Sequence, residues 1–269
     1  MAKRLSNDRR TGVLHPRIGT LLEEIMLRFD RQFLKTDPVS LVHRYRSPGD
    51  QEVVSLITAL LAFGNAKAII GSVKRIIDPL GSSPKEALMG RLPATLSHQT
   101  GHRWVRTGDI LLLLEIVREI LVKHHSLESF FLEGFSPQDH DVGAALHQFS
   151  RRIKKMAGKR GGTLGFRYFF PSPEDGSACK RLNMWLRWIV RPHDGIDLGL
   201  WSRIPPSKLI IPLDIHLFNF ARRYRLSRYK TPHWKMACEV TSFLRQLDPA
   251  DPVKYDFAIC HYGMEQGWK

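Results

Sequence analysis

The sequence predicts an all-α protein of about ten helices, and three observations predict it. Apolar residues recur at three- and four-residue steps along most of the chain. Helix-start signals, with Ser, Thr or Asp followed by Pro, recur between those runs. No alternating, strand-like segment longer than a few residues is present, and no internal repeat is found.

Taken in order, Ile18, Leu21, Leu22, Ile25, Met26 and Phe29 form the first amphipathic stripe, the pattern of a helix with one buried face. Val53, Val54, Ile57, Leu60 and Leu61 form a second, and Ile69, Val73, Ile76 and Ile77 a third. Ser83-Pro84-Lys85-Glu86 offers a capping serine, a proline at the first helical position and a glutamate three residues from the cap. Ile110 to Val122 is apolar nearly all round and reads as a central, buried helix. Ser126 opens a further helix, and Ser136-Pro137 another that carries Val142, Leu146, Phe149 and Ile153. Arg151 to Gly165 then collects Arg151, Arg152, Lys154, Lys155, Lys159 and Arg160 ahead of Gly161-Gly162. This reads as a helix end and a flexible basic loop, with a solvated face and a phosphate-contacting surface as equal alternatives. A helix from Lys180 to about Val190 places Leu182, Trp185, Leu186 and Ile189 on its inner face. Residues 191–207 are rich in Pro, Gly and Asp and read as an irregular insertion. Asp214 opens a helix, and Thr231-Pro232 and Asp251-Pro252 cap two more. The helix in residues 1–49 is expected to pack with a C-terminal lobe at 208–269, and residues 50–190 to form the other lobe.

The totals bound the partners. A chain of 269 residues, 43% hydrophobic and 25% charged, is long enough to bury a large core. Forty-one Lys and Arg against 26 Asp and Glu give a net charge of +15. Such an excess speaks to partners rather than fold, and nucleic acid is the commonest polyanionic partner of a soluble basic protein. Cys179, Cys238 and Cys260 stand far apart, with no Cys-x-x-Cys pair. That spacing argues against a disulfide scaffold, a zinc ribbon or a four-cysteine iron–sulfur cluster. Met1-Ala2-Lys3-Arg4 precedes no apolar core, and the longest apolar runs are short. No signal peptide and no membrane span are therefore expected, and a cytoplasmic location is. The expected set of cofactors and metals is empty.

Two stretches carry chemistry. Glu174-Asp175-Gly176-Ser177-Ala178-Cys179-Lys180 reads as a tight turn running into a helix with a lysine in its first turn. A cation there faces the positive end of the helix dipole, which favours the neutral, nucleophilic amine. The competing reading is a surface lysine whose tip reaches solvent. Gly176, Ser177 and Ala178 can present successive backbone N–H groups at a helix start, a natural seat for phosphate. Ile211-Pro212-Leu213-Asp214-Ile215-His216-Leu217 places Asp214 as an N-cap. A carboxylate held by helix N–H donors is also fixed in direction, which suits it to stabilising developing positive charge.

The run from Gly176 to Leu186, with Lys180, Asn183 and Leu186, resembles the hairpin of the helix-hairpin-helix DNA glycosylases. There a Gly-containing turn leads into Lys-x-x-Asn. The segment Leu213-Asp214-Ile215-His216-Leu217, with Arg223 and Leu226, is similar to that family's Val-Asp-Thr-His-Val segment. The wider spacing of lysine and aspartate looks more like the archaeal 8-oxoguanine DNA glycosylases. The whole chain is most similar to an uncharacterised bacterial family of that superfamily. The specific motifs cover about residues 170–226, and there are departures from them. Ala178 stands where the hairpin has its second glycine, Glu174-Asp175 replace Leu-Pro, Ile215 replaces a threonine, and Asn219 replaces an arginine.

The resemblance implies two helical lobes, a helix-hairpin-helix element and a cleft between the lobes. It implies a DNA-repair glycosylase with AP-lyase activity, acting as a monomer on duplex DNA with a damaged base flipped out of the stack. Lys180 falls on the Schiff-base lysine and Asp214 on the catalytic aspartate. Gly176, Ser177, Ala178 and Cys179 are expected to hold phosphate, with Arg187 and Lys208 assisting. An oxidised base, 8-oxoguanine, is the expected substrate. Trp185, Trp188, Trp201 and Trp234 are candidates to stack on it, with Trp185 the more core-like and Trp201 the freer. The alternatives are a non-catalytic helix-hairpin-helix module that binds DNA or RNA, and a metal hydrolase. The last is disfavoured because His124-His125 and His140 with His147 lack metal-ligand spacings.

Overall fold

A computed structural model describes residues 16–97 and 100–268. Among the described residues there are twelve α-helices and no β-strand, only an isolated bridge between His102 and Val105. The chain is all-α, as the periodicity predicts.

The helices are α1 (Pro16–Arg28), α2 (Pro48–Leu60), α3 (Ala66–Ile77), α4 (Pro84–Met89), α5 (Thr107–His124) and α6 (Leu127–Leu132). They continue with α7 (Gly143–Gly158), α8 (Leu164–Phe169), α9 (Lys180–Val190), α10 (Ile215–Arg223), α11 (Trp234–Arg245) and α12 (Asp256–Glu265). Among the described residues, no helix is long and apolar enough to cross a membrane. Cys179, Cys238 and Cys260 are free thiols.

The first stripe buries Ile18, Leu22 and Ile25 of α1, and α1 packs against α12. An Arg28–Glu265 ion pair links the same two helices. Helix α2 is buried along most of its length and packs against α9. Two polar contacts tie it there. Trp185 Nε1 of α9 donates to Ser55 Oγ at 3.1 Å, and Trp201 Nε1 donates to Glu52 Oε1 at 2.9 Å. Glu52 also accepts from the Glu128 N–H at the start of α6, at 2.8 Å. Burial pushes its carboxyl upward, against the pull of these donors. Phe131, Phe149, Trp185 and Trp201 meet in one aromatic cluster with neighbouring centroids 5.0–5.6 Å apart. Such packing adds to their large area burial.

Trp201 is therefore not the freer tryptophan. It is 2% exposed, because residues 191–207, although without helix or strand before Pro206, fold back onto α2 and α9. The Leu198 N–H reaches the Trp188 carbonyl at 2.7 Å and the Trp201 N–H the Ile189 carbonyl at 2.8 Å. An irregular, Pro-rich composition hides this, since the anchoring bonds come from a helix end's free carbonyls.

Several helix starts differ from the sequence expectation for one physical reason. The segment after Ser136-Pro137 forms turns, and α7 begins only at Gly143. Asp139 Oδ2 accepts the Ser136 N–H at 3.0 Å and Asp141 Oδ1 the Gly143 N–H at 2.7 Å. These short side chains offer the backbone a local alternative to helix. Asp251-Pro252 likewise lies in a turn, and α12 begins at Asp256. Asp248 Oδ1 takes the N–H groups of Ala250 and Asp251, and Asp251 is engaged by Arg191. At Thr231-Pro232 the cap is His233, whose Nδ1 accepts the Met236 N–H at 3.2 Å. Ser83 precedes α4 but makes no side-chain cap bond, whereas Ser126 caps α6 as expected.

Candidate functional site

The site is built around the start of α9. Gly176, at φ +77°, turns the chain in the left-handed region that glycine adopts without cost. Cys179 then adopts φ +49°, unusual for a residue with a Cβ, as the N-cap of α9. Its N–H reaches Ser177 Oγ at 3.2 Å and its thiol the Ser177 carbonyl at 3.4 Å. Burial pushes that thiol up to about 12, so it is inert at neutral pH. Asn183 Nδ2 donates to the Ala178 carbonyl at 3.0 Å. One turn of α9 thereby clamps the loop that precedes it.

Lys180 follows at the first helical position, and Asp214 is the N-cap of α10. Both line a single cavity of about 700 Å³. They form no ion pair with each other, and among the described residues the Lys180 amine has no hydrogen-bond or ion-pair partner. Asp214 Oδ1 accepts the Leu217 N–H at 2.8 Å, and its Oδ2 accepts from the Cys260 thiol at 3.4 Å. The cap fixes the carboxylate's direction while leaving its outer oxygen toward Cys260. Ser177, Ala178 and Cys179 line the same cavity, and Gly176 does not.

Three further residues of the cavity were not singled out by sequence reasoning. Asp256, Cys260 and His216 all line it. Asp256 is buried, and its carboxyl is pushed up to about 7. Desolvation is the largest cause, the nearby Asp214 and Asp197 add to it, and Arg187 and Lys180 oppose it. Burial also drives the Cys260 thiol well above the ordinary range, with Asp214 and Asp256 adding repulsion. A carboxylate pair meeting a cavity is not visible in spacing, because Asp214 and Asp256 come together only when α10 packs on α12.

Arg187 lines the cavity but is 3% exposed. Its guanidinium donates to Asp256 Oδ2 at 2.6 Å and faces Asp197 Oδ1 at 3.2 Å. Lys208 is not part of the cavity, and its amine donates to the Asp139 carbonyl. In this conformation both expected assistants are committed to the protein itself. The basic run after Arg151 is partly neutralised too, through Arg152–Glu133, Lys154–Asp175 and Arg160–Glu119 pairs.

An aromatic and cationic patch lies at one side of the cavity. Phe63 and Tyr168 line it, and Trp104 stacks on Phe63 with centroids 4.7 Å apart and planes at 27°. Trp104 and Tyr168 remain 48% and 42% exposed. The Arg181 guanidinium lies 4.1 Å from the Tyr168 ring centroid, and Arg103 lies 5.0 Å from that of Trp104. Arg181 also donates to the Leu60 carbonyl at 2.8 Å, and burial lowers it to about 10. Of the tryptophans weighed from sequence, Trp188 lines the cavity, whereas Trp185 and Trp201 sit in the core. The signal for Trp104 was its company: Arg103-Trp104 in a loop pairs cation and ring on an exposed segment.

A search of curated proteins and a search of solved structures each found no match. One family model does match, over residues 37–265, which spans α2 to α12 and every residue of the cavity. The chain thus belongs to the family described as protein of unknown function DUF2400.

Proposed function

We propose that this protein is a bifunctional DNA glycosylase that removes an oxidised base, 8-oxoguanine by the resemblance, and nicks the strand at the resulting abasic site. The observation that carries the reading is the shared cavity: an unpaired amine and a capped carboxylate line one space of about 700 Å³. That volume falls in the ~300–1,000 Å³ range of ligand sites.

In this mechanism the target nucleotide leaves the duplex and enters the cavity. Lys180, as the neutral amine, attacks the anomeric carbon; the bond to the base breaks, and the base leaves with the bonding electron pair and takes up the proton that the new ammonium loses. Asp214, held by the Leu217 N–H, stabilises the positive charge that develops on the sugar. The bond from the anomeric carbon to the ring oxygen then breaks, the oxygen takes a proton from solvent, and a protonated Schiff base on Lys180 results. Removal of a proton from the adjacent sugar carbon then expels the 3′ phosphate by β-elimination. Trp104 and Tyr168 offer exposed faces on which an unpaired base can stack. The turn from Gly176 to Cys179 is assigned the phosphate, as the hairpin of a helix-hairpin-helix element. The proposed organisation is two helical lobes, 50–190 and 208–269. Residues 1–49 are assigned to the second lobe; the packing of α1 on α12 supports this for Pro16–Arg28, whereas Pro38–Arg44 packs on α2. Residues 191–207 link them, and the working unit is a monomer on damaged duplex DNA.

Borohydride reduction in the presence of duplexes carrying a panel of oxidised bases tests the reading. A covalent protein–DNA adduct is expected with the wild type and is lost in Lys180→Ala, while Asp214→Asn slows its formation at least about 100-fold. Binding that is salt-sensitive yet unchanged by both substitutions, with no adduct on any lesion, would instead favour a non-catalytic DNA- or RNA-binding module.

A further inference from the structure

On the wall of the cavity, Asp214, His216 and Cys260 come together from α10 and α12, with one donor atom of each lying within 4.8 Å of the other two. We infer that this trio binds a thiophilic divalent cation of the zinc type, with a fourth coordination position open to the cavity.

The geometry supports it in three ways. First, the Asp214 Oδ2 to Cys260 Sγ separation is 3.4 Å. A tetrahedral zinc ion with bonds of ~2.3 Å to sulfur and ~2.1 Å to oxygen needs those two atoms about 3.6 Å apart, so the present edge is nearly the required one. Second, His216 Nδ1 is buried and has no hydrogen-bond partner among the described residues. A buried polar nitrogen without a partner is costly, and a metal–imidazole bond would satisfy a ring nitrogen of this residue. Third, all three residues line the cavity, so an ion held by them would keep one position for water or an incoming ligand. Three protein ligands and one open place is the arrangement of exchangeable zinc sites rather than of closed structural ones. A mixed thiolate, imidazole and carboxylate set selects zinc over magnesium or calcium.

Binding forms metal–sulfur, metal–nitrogen and metal–oxygen bonds. The thiol proton, which now points at Asp214, passes to solvent. The trio escapes sequence inspection because Cys260 lies on the last helix, far from the Asp-x-His pair it completes. The site does not depend on the glycosylase reading, since cation binding is measured without DNA. If both hold, zinc occupies the carboxylate the reaction uses, and the two states exclude one another.

The test uses the full chain stripped of metal. Competition for zinc against a chromophoric chelator should give one tight equivalent in the wild type. Removing a direct ligand exceeds the ~10–100-fold cost of disturbing an outer-sphere partner. Cys260→Ala and His216→Gln should each weaken binding by more than 100-fold, and Cys238→Ala should leave it unchanged. Cobalt substitution of the wild type, which needs no variant to fold, should show thiolate-to-cobalt charge-transfer absorption that Cys260→Ala lacks. Absence of a stoichiometric equivalent, or a cobalt spectrum with no thiolate band, would overturn the site. So would binding that follows Cys238 instead of Cys260.

Discussion

The two ends of α9 carry the same kinds of residue and put them to opposite uses. At the C-terminal end, Arg187 and Arg191 face Asp194, Asp197, Asp251 and Asp256. Cations there also meet the negative end of the helix dipole. At the N-terminal end, Lys180 meets the positive end of the dipole with no partner for its amine among the described residues. One end of the helix resolves its charge internally, and the other leaves an amine directed to a cavity. A basic residue count cannot tell these apart, because burial and pairing decide which cation is available to chemistry. Asp256 joins the two ends, since it binds Arg187 and also lines the cavity with Lys180.

The contrast predicts unequal costs of substitution. Removing one partner of a buried, multiply paired charge leaves the others uncompensated, at about 3–5 kcal/mol. Arg187→Met should therefore lower unfolding stability by that amount, since Asp256 loses its ion-pair partner and Asp197 keeps only Arg191. Lys180→Met should change it by less than about 1 kcal/mol, because a cation at the wrong end of a dipole contributes little or opposes folding. Denaturant unfolding of the two variants side by side measures the difference. Equal losses would show that Lys180 is a structural residue.

How much of this was legible in the sequence follows from the same physics. Helix existence was, because stripes such as Ile18, Leu22 and Ile25 keep their period whatever they pack against. Lys180 and Asp214 were found through their local settings, a turn before one helix and a cap on another, and both settings exist as read. What stayed hidden depends on contacts between distant segments. Cys260 and Asp256 reach the cavity only through the packing of α10 on α12. Arg187 carries the same symbol as a solvent-facing arginine, yet two remote aspartates bury it. Helix starts at Ser136 and Asp251 were misplaced because short polar side chains can cap either a turn or a helix.

A sharper probe of the junction between the two ends is pH. Burial holds the Asp256 carboxyl near 7 in the fold, against ~3.9 for an aspartate in an unfolded chain. Between those values the folded protein holds more protons than the unfolded one, so this group's contribution to stability falls as pH rises. Wild type and Asp256→Asn should therefore diverge across ~pH 4 to 7, the wild type losing up to about 1.4 kcal/mol per pH unit relative to the variant. The amide keeps a hydrogen-bond acceptor for Arg187 and removes the titration. Unfolding midpoints at several pH values check this, and parallel profiles would show that Arg187 holds the carboxylate charged.

A last comparison sets the turn before α9 against the segment after it. Gly199 sits at φ +63°, and a Cβ there would lie 2.9 Å from the His193 backbone nitrogen. Gly199→Ala must therefore displace backbone as well as accept a strained conformation, and should cost more than the conformational term alone. Gly176 sits at φ +77° with nothing within 4 Å of an added Cβ. Gly176→Ala should cost only that term, about 1–2 kcal/mol. Cys179, three residues on, already holds φ +49° with a full side chain, so the fold tolerates strain at this end of the helix. The ratio of the two losses, read from thermal unfolding, reports whether the turn is open or braced from behind. A Gly176→Ala loss as large as that of Gly199→Ala would mean that the turn is braced.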